Sequence, residues 1–283
     1  MRDDSGEGVI GGPLRIVFTD LDGTLLDAET YSWEAAQEAL LLCRQQGVPV
    51  ILASSKTGAE MEIIHDDMGL TDPFISENGG GIFFPEASFY GSSSKMKRDG
   101  NFWKLAQGVP RTRLVAALKE IAEELGCRVT GFADMDITRV ASLTGLDIHM
   151  ARLAAQREFD EPFIITEPVD SDIAALHRAA KERGLTITQG GRFFHIHGGN
   201  DKGKAMEQVI SCYRQTHPEV ISLALGDSPN DFSMLERADV PVLVRSKRDF
   251  PQLSGRIPGL VVTTHQGPTG WNEAVLPFLE SKE

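Results

Sequence analysis

The sequence predicts an α/β protein: a doubly wound, Rossmann-like parallel-sheet core with an inserted α/β cap domain. Three observations carry this expectation. Short apolar runs alternate with helical patterns at both ends of the chain. The middle third breaks that alternation. Two of the apolar runs end in Asp-rich loops. Alternating strands and helices require crossover connections, and these produce parallel strands with helices on both faces. A chain of 283 residues is long for one domain and comfortable for two.

The elements follow in order. Leu14 to Thr19 is apolar and ends in acid, as a buried strand does. Ser32 to Gln46 has helical spacing, with Trp33, Ala36, Leu40 and Cys43 on one face and Gly47 as the stop. Val48 to Ala53 is a second strand, Lys56 to Met68 a helix, Pro73 to Ser76 a third strand, and Gly79 to Phe84 a further extended piece. In the middle, helices are expected over Arg111 to Leu125, Leu146 to Arg157 and Ser171 to Arg183. Strands are expected there over Arg128 to Phe132, Phe163 to Thr166, Leu185 to Thr188 and Phe193 to His197. A loop rich in Ser, Lys and Gly spans Gly91 to Gly100. The alternation then resumes with a helix (Lys202 to Gln215), a strand (Ile221 to Gly226) and a helix (Asp231 to Ala238). Two more strands (Val240 to Val244, Leu260 to Thr263) and a closing helix (Trp271 to Leu279) complete the chain. The expected division is a flexible extension over 1–13, a core over 14–85 and 193–283, and an insertion over 86–192.

Composition narrows the function classes. The formal net charge of −13 argues against nucleic acid or an anionic membrane as partner, since both require a basic face. An anionic small molecule remains compatible, because a local cluster of cations can outweigh a distant negative balance. No stretch approaches about 18 apolar residues, so no membrane span is expected. Cys43, Cys127 and Cys212 are scattered and show no paired spacing, which points to a reducing compartment rather than a disulfide framework or zinc site. The polar, Gly-rich start is unlike a signal peptide, so a cytoplasmic location is expected.

Four motifs carry chemistry. Asp20-Leu21-Asp22-Gly23-Thr24 follows the first strand and places two carboxylates beyond its carboxyl end, where ligands of open parallel sheets gather. One carboxylate can attack phosphorus, and the other can serve as acid and base. Gly226-Asp227-Ser228-Pro229-Asn230-Asp231 follows another buried strand; its acids, with Asp20, suit a hard cation such as Mg²⁺. The same residues would also make an ordinary turn opening a helix. Ser54-Ser55-Lys56-Thr57 can hold phosphate oxygens at a helix start, or simply cap that helix. In Asp201-Lys202-Gly203-Lys204, a lysine can neutralise nucleophile and phosphate, or lie in a surface turn.

These four pieces, in this order, resemble the phosphatases of the haloacid dehalogenase superfamily, and the insertion looks like the α/β cap of its sugar-phosphatase branch. A narrower likeness, to the mannosyl-3-phosphoglycerate phosphatase family, extends over nearly the whole chain from Leu14. It is carried by Ser54-Ser55-Lys56-Thr57, Ser76-Glu77-Asn78-Gly79-Gly80, Thr144-Gly145-Leu146, Arg157-Glu158-Phe159-Asp160-Glu161-Pro162, Gly191-Arg192-Phe193-Phe194-His195 and Gly267-Pro268-Thr269-Gly270-Trp271-Asn272. The superfamily often has Thr-Gly-Arg where this chain has Ser54-Ser55-Lys56, and the departure favours the narrower family.

The resemblance implies a Mg²⁺-dependent phosphatase with Asp20 as nucleophile, Asp22 as acid/base, and Ser54 and Lys202 beside the phosphate. It implies a metal site of Asp20, the Asp22 carbonyl and Asp227, with Asp231 adjacent. The implied substrate is a small phosphorylated glycoside, 2-O-mannosyl-3-phosphoglycerate, cleaved to mannosylglycerate and phosphate. Ser55, Lys56, Glu77, Asn78 and Asn230 on the core are candidate substrate contacts. So are Arg157, Glu158, Arg192 and His195 on the insertion or at its return. Rival readings are the glucosyl analogue, a general sugar phosphatase, a phosphomutase, and a phosphate-binding module without catalysis.

Overall fold

The computed structural model describes residues 12–86, 95–167, 173–190 and 192–281. The expected N-terminal extension, apart from 12 and 13, lies outside these residues, as does part of the loop expected over 91–100.

The first third of the chain runs β1 (Leu14–Thr19), α1 (Gln37–Gln46), β2 (Val50–Ala53), α2 (Gly58–Asp67), β3 (Phe74–Ser76), β4 (Gly81–Pro85), β5 (Met96–Asp99) and β6 (Phe102–Ala106). The middle runs α3 (Arg111–Leu125), β7 (Arg128–Gly131), α4 (Ile137–Thr144), α5 (Ile148–Ala154), β8 (Asp160–Glu167), α6 (Ile173–Glu182), β9 (Thr186–Gly190) and β10 (Phe193–His197). The last third runs α7 (Lys202–Tyr213), β11 (Val220–Gly226), α8 (Phe232–Leu235), β12 (Val240–Arg245), β13 (Val261–Gln266) and α9 (Gly267–Glu280).

Among the described residues two sheets form. The larger has the order β13-β12-β11-β1-β2-β3-β4-β6-β5, and the smaller β7-β8-β10-β9. From β13 to β3 the large sheet is parallel; β4, β6 and β5 extend it antiparallel. The small sheet is antiparallel. An α/β protein with a large parallel core is therefore what forms. The insertion expected over 86–192 does not coincide with the small sheet. β5 and β6 pair with the large sheet, and Phe193–His197 is a central strand of the small one.

The parallel strands read as continuous apolar runs because both faces are covered. Ile16 and Phe18 pack with Ala205, Met206 and Val209 of α7, while Val17 between them packs with Trp271 and Val275 of α9. Strand order reverses around β1, which pairs with β2 on one side and β11 on the other. A crevice opens at such a reversal, beyond the carboxyl ends of the strands. Among the described residues no helix is long and apolar enough to cross a membrane.

Candidate active site

Asp20 directly follows β1, and its N–H donates to the Leu225 carbonyl of β11 at 2.9 Å. Asp227 directly follows β11. Two neighbouring parallel strands thus deliver their terminal acids to one place. The chain turns there at Gly23, with φ of 82°. A side chain at 23 would stand only 3.1 Å from Asp227 Oδ2, so the turn needs glycine for conformation and for space. Trp271 Nε1 donates to Thr19 Oγ1 at 3.0 Å, and that hydroxyl donates to the Asp20 carbonyl at 2.7 Å, which anchors the turn from α9.

The start of α7 supplies Lys202, fully buried. Its Nζ donates to Asp20 Oδ1 and to Asp231 Oδ1, each at 2.6 Å. Asp231 Oδ2 accepts from Asp227 N–H (3.1 Å), Ser228 N–H (3.0 Å) and Ser228 Oγ (3.2 Å). Both oxygens of Asp231 are therefore engaged by the protein. Burial, reinforced by Asp231, pushes the Asp20 carboxyl up to about 7 against the pull of Lys202. Burial and Asp231 likewise push Asp227 up to about 6. Burial alone would lower Lys202, but Asp20 and Asp231 outweigh it and raise its pKa.

This crowding of acids fits a hard cation. One oxygen from each of Asp20, Asp227 and Asp231 lies within 4.8 Å of the others. The donor set is all oxygen, with neither His nor Cys, which suits Mg²⁺ over a softer metal. Asp231 already accepts from four protein donors, one on Oδ1 and three on Oδ2.

Asp22 sits two residues on, and Lys56 Nζ donates to its Oδ2 at 2.6 Å. Its Oδ1 is buried with no hydrogen-bond partner among the described residues. Ser54 is buried beyond β2, its Oγ accepting from Lys56 N–H at 3.2 Å. Thr57 and Glu60 form a reciprocal capping box at the start of α2. The helix-cap role therefore falls to Thr57, and the exposed Ser55 remains free to face a ligand.

A cavity of about 830 Å³ lies between the two sheets. Asp20, Asp22, Ser55, Glu77, Asn78 and Asn230 line it from the large-sheet side; Asp160, Thr188, Gln189 and His195 line it from the small sheet. Asp20 and Asp22 are thus brought together with Ser55, Asn78, Asn230 and His195. Asn230 Nδ2 donates to Asn78 Oδ1 at 3.0 Å, so these two amides form one polar rim. Arg157 Nη1 donates to the Ser55 carbonyl (3.1 Å) and to Asp160 Oδ2 (2.9 Å). His195 Nδ1 lies 2.9 Å from the same Asp160 oxygen. Burial favours the neutral form of Asp160, but Arg157 and His195 outweigh it and hold the carboxyl below its ordinary range.

Five expected contacts stand elsewhere or are otherwise engaged, Lys56 and Arg157 through the pairings described above. Arg192 Nη1 donates to the Leu143 carbonyl near the end of α4 at 2.7 Å and does not reach the cavity. Glu158 pairs with Lys104 at 2.6 Å and is likewise outside the cavity lining. Glu77 does line the cavity, yet its carboxylate accepts the N–H groups of Glu158 and Phe159, both at 2.9 Å. It ties the two sheets together. Sequence reading passed over Asp160, Gln189, His197, Asn200 and Arg248, all in the lining. Asp160 lay within the quoted run Arg157 to Pro162, and the alternation of β10 that exposes His195 also exposes His197.

A model of the haloacid dehalogenase-like hydrolases matches residues 17–99 and 164–249. A protein of Methanococcoides burtonii named glucosyl-3-phosphoglycerate/mannosyl-3-phosphoglycerate phosphatase is 41% identical, over 93% of this chain and 97% of its own. One of the same name from Persephonella marina is 34% identical, over 95% and 98%. Among solved structures, a Thermoplasma acidophilum protein superposes with a TM-score of 0.65 at 20% identity, covering 95% of this chain and 99% of its own. A haloacid dehalogenase-like hydrolase from Bacteroides thetaiotaomicron gives 0.62 at 18%, covering 93% and 99%. These two solved structures bear on the fold alone.

Proposed function

The chain belongs to the haloacid dehalogenase-like hydrolases, and from that membership we propose a Mg²⁺-dependent phosphatase acting on 2-O-mannosyl-3-phosphoglycerate and its glucosyl analogue. The observation that carries the reading is Asp20, held by buried Lys202 at the floor of a polar cavity, with Asp22 two residues away. The shared name of two relatives that match along almost their whole length supports the substrate class.

In the proposed reaction a carboxylate oxygen of Asp20 attacks phosphorus. The ester P–O bond breaks, and the leaving oxygen takes a proton from Asp22. Water then attacks the aspartyl-phosphate, giving its proton to Asp22; the Asp20–phosphorus bond breaks and phosphate leaves. Lys202 keeps Asp20 oriented and offsets its charge as the anionic phosphate approaches. Asp20, Asp227 and the Asp22 carbonyl would hold Mg²⁺, which when bound offsets charge on the transferring phosphoryl oxygens. Asp231 fixes Lys202 and the backbone of 227–228. Every phosphomonoester presents the same phosphate, so selection falls to groups that meet the rest of the molecule. We assign recognition of the glycosyl part to the small-sheet side, which acts as the cap, through His195, Asp160 and Gln189.

A substrate panel tests this. Both glycosyl-3-phosphoglycerates are expected to exceed free hexose phosphates in kcat/KM by about 100-fold or more, a margin that placed polar contacts can supply. Chelation is expected to abolish turnover and added Mg²⁺ to restore it. Equal use of hexose phosphates would defeat the substrate assignment, and full activity of metal-free enzyme the metal assignment.

A further inference from the structure

We propose that Arg248 is the specificity-determining residue that reads a carboxylate carried beside the phosphate ester. The inference rests on the phosphatase reading above and deepens it by naming what the site recognises besides phosphate.

The cavity wall is acidic. Asp20, Asp22, Glu77, Asp160 and Asp201 all contribute to it. A substrate carrying both phosphate and carboxylate needs a cation for each, and the cations near phosphate are committed. Lys202 is bound to Asp20 and Asp231, and Lys56 to Asp22. The two arginines favoured by sequence are committed as well, Arg157 to Asp160 and the Ser55 carbonyl, Arg192 to the Leu143 carbonyl. Among the described residues that line the cavity, Arg248 is the one with a permanent positive charge. No described group hydrogen-bonds or pairs with its guanidinium. It is exposed, on the loop that follows β12.

Its placement is not casual. β12 is parallel to β11, so the loops after both strands emerge at the same end of the sheet. Ser246 Oγ lies 3.4 Å from the Asp227 carbonyl and accepts from Arg248 N–H at 3.4 Å. The backbone of Arg248 is thereby tied, through one serine, to the loop that carries a proposed metal ligand. A guanidinium so placed can bind a carboxylate through two parallel N–H bonds, and a carboxylate one carbon removed from the ester-bearing end of a glycerate would meet it. Neutral sugar phosphates offer nothing to that fork.

The test uses a matched pair, 2-O-mannosyl-3-phosphoglycerate and 2-O-mannosylglycerol 3-phosphate, which differ only in carboxylate against CH₂OH. Wild-type enzyme is expected to prefer the carboxylate. Arg248→Ala should lower kcat/KM for the carboxylate substrate by about 10- to 100-fold, the loss of a charge-assisted contact, and leave the alcohol within about twofold. Arg248→Lys should recover part of the loss. If wild-type enzyme hydrolyses both equally, the phosphatase reading stands and the role of Arg248 fails. If Arg248→Ala harms both substrates alike, the residue serves phosphate or folding and the proposal is overturned. If neither ester is hydrolysed, the functional reading itself fails and takes this inference with it.

Discussion

Asp20 and Lys202 stand 182 residues apart in the chain and 2.6 Å apart at their charged atoms. That contact joins the end of β1 to the start of α7. The same ammonium holds Asp231, and removing it would leave two buried carboxylates without their counter-charge.

Lys202→Met is therefore expected to lower unfolding stability by about 3–5 kcal/mol, the usual result of stripping one partner from a buried charge cluster. Turnover should vanish with it. Asp20→Asn should behave differently, since the amide fills the same space but is a poor nucleophile: the fold persists while activity falls below about one per cent. Urea unfolding and single-substrate kinetics on both variants check this. An Asp20→Asn enzyme with substantial turnover would remove Asp20 from the nucleophile's role.

Arg157 and Arg192 should respond oppositely to truncation. Arg192→Ala loses one exposed contact to the Leu143 carbonyl, and kcat/KM should stay within about twofold. Arg157→Ala strips the buried Asp160 of its main counter-charge and frees the Ser55 carbonyl. Its kcat/KM should fall by at least about tenfold, with a clear loss of thermal stability. Equal effects of the two replacements would contradict this separation.

Glu77 has a sharp pH signature. Burial pushes its carboxyl from 4.5 up to about 7, although Arg157 and two backbone N–H groups pull the other way. The folded state then binds more protons than the unfolded state between these values, so its contribution to stability falls as pH rises from 4.5 to 7. Glu77→Gln cannot titrate. The stability gap between wild type and variant should narrow by roughly 3 kcal/mol from pH 4.5 to 8. Paired urea titrations measure it, and a gap independent of pH would show that Glu77 does not titrate in this range.

Local pattern was enough for β1, whose bounds are those expected, and for α3, where spacing and a terminal glycine agree. It missed β5, where three of the four residues are charged, and β6, where Lys104 interrupts a short apolar run. The signal present was Asp99-Gly100-Asn101-Phe102, a two-residue hairpin turn with φ of 55° at Gly100. Asp20, Asp22 and Lys202 were legible because strand ends and helix starts are local features. The fates of Arg192 and Glu158 were not legible. Each was decided by a neighbour distant in sequence, the Leu143 carbonyl and Lys104, whose approach depends on how the layers pack. Arg248 went unnoticed for the same reason, since only tertiary placement brings its loop to the cavity.

Between the two sheets the chain passes out after β6 and back after β10, and these crossings touch. A methyl group at Gly108 would lie 3.0 Å from Asn200 Oδ1, and Asn200 Nδ2 donates to the carbonyls of Glu77 and Phe159 at 2.9 and 3.0 Å. The excursion from 108 to 200 is therefore a closed loop whose ends already meet. Its chain-entropy penalty to the larger sheet grows only with the logarithm of its length. Units of very different size could occupy this junction at nearly the same expense, which makes it a natural point of exchange when a scaffold of this kind acquires a new substrate.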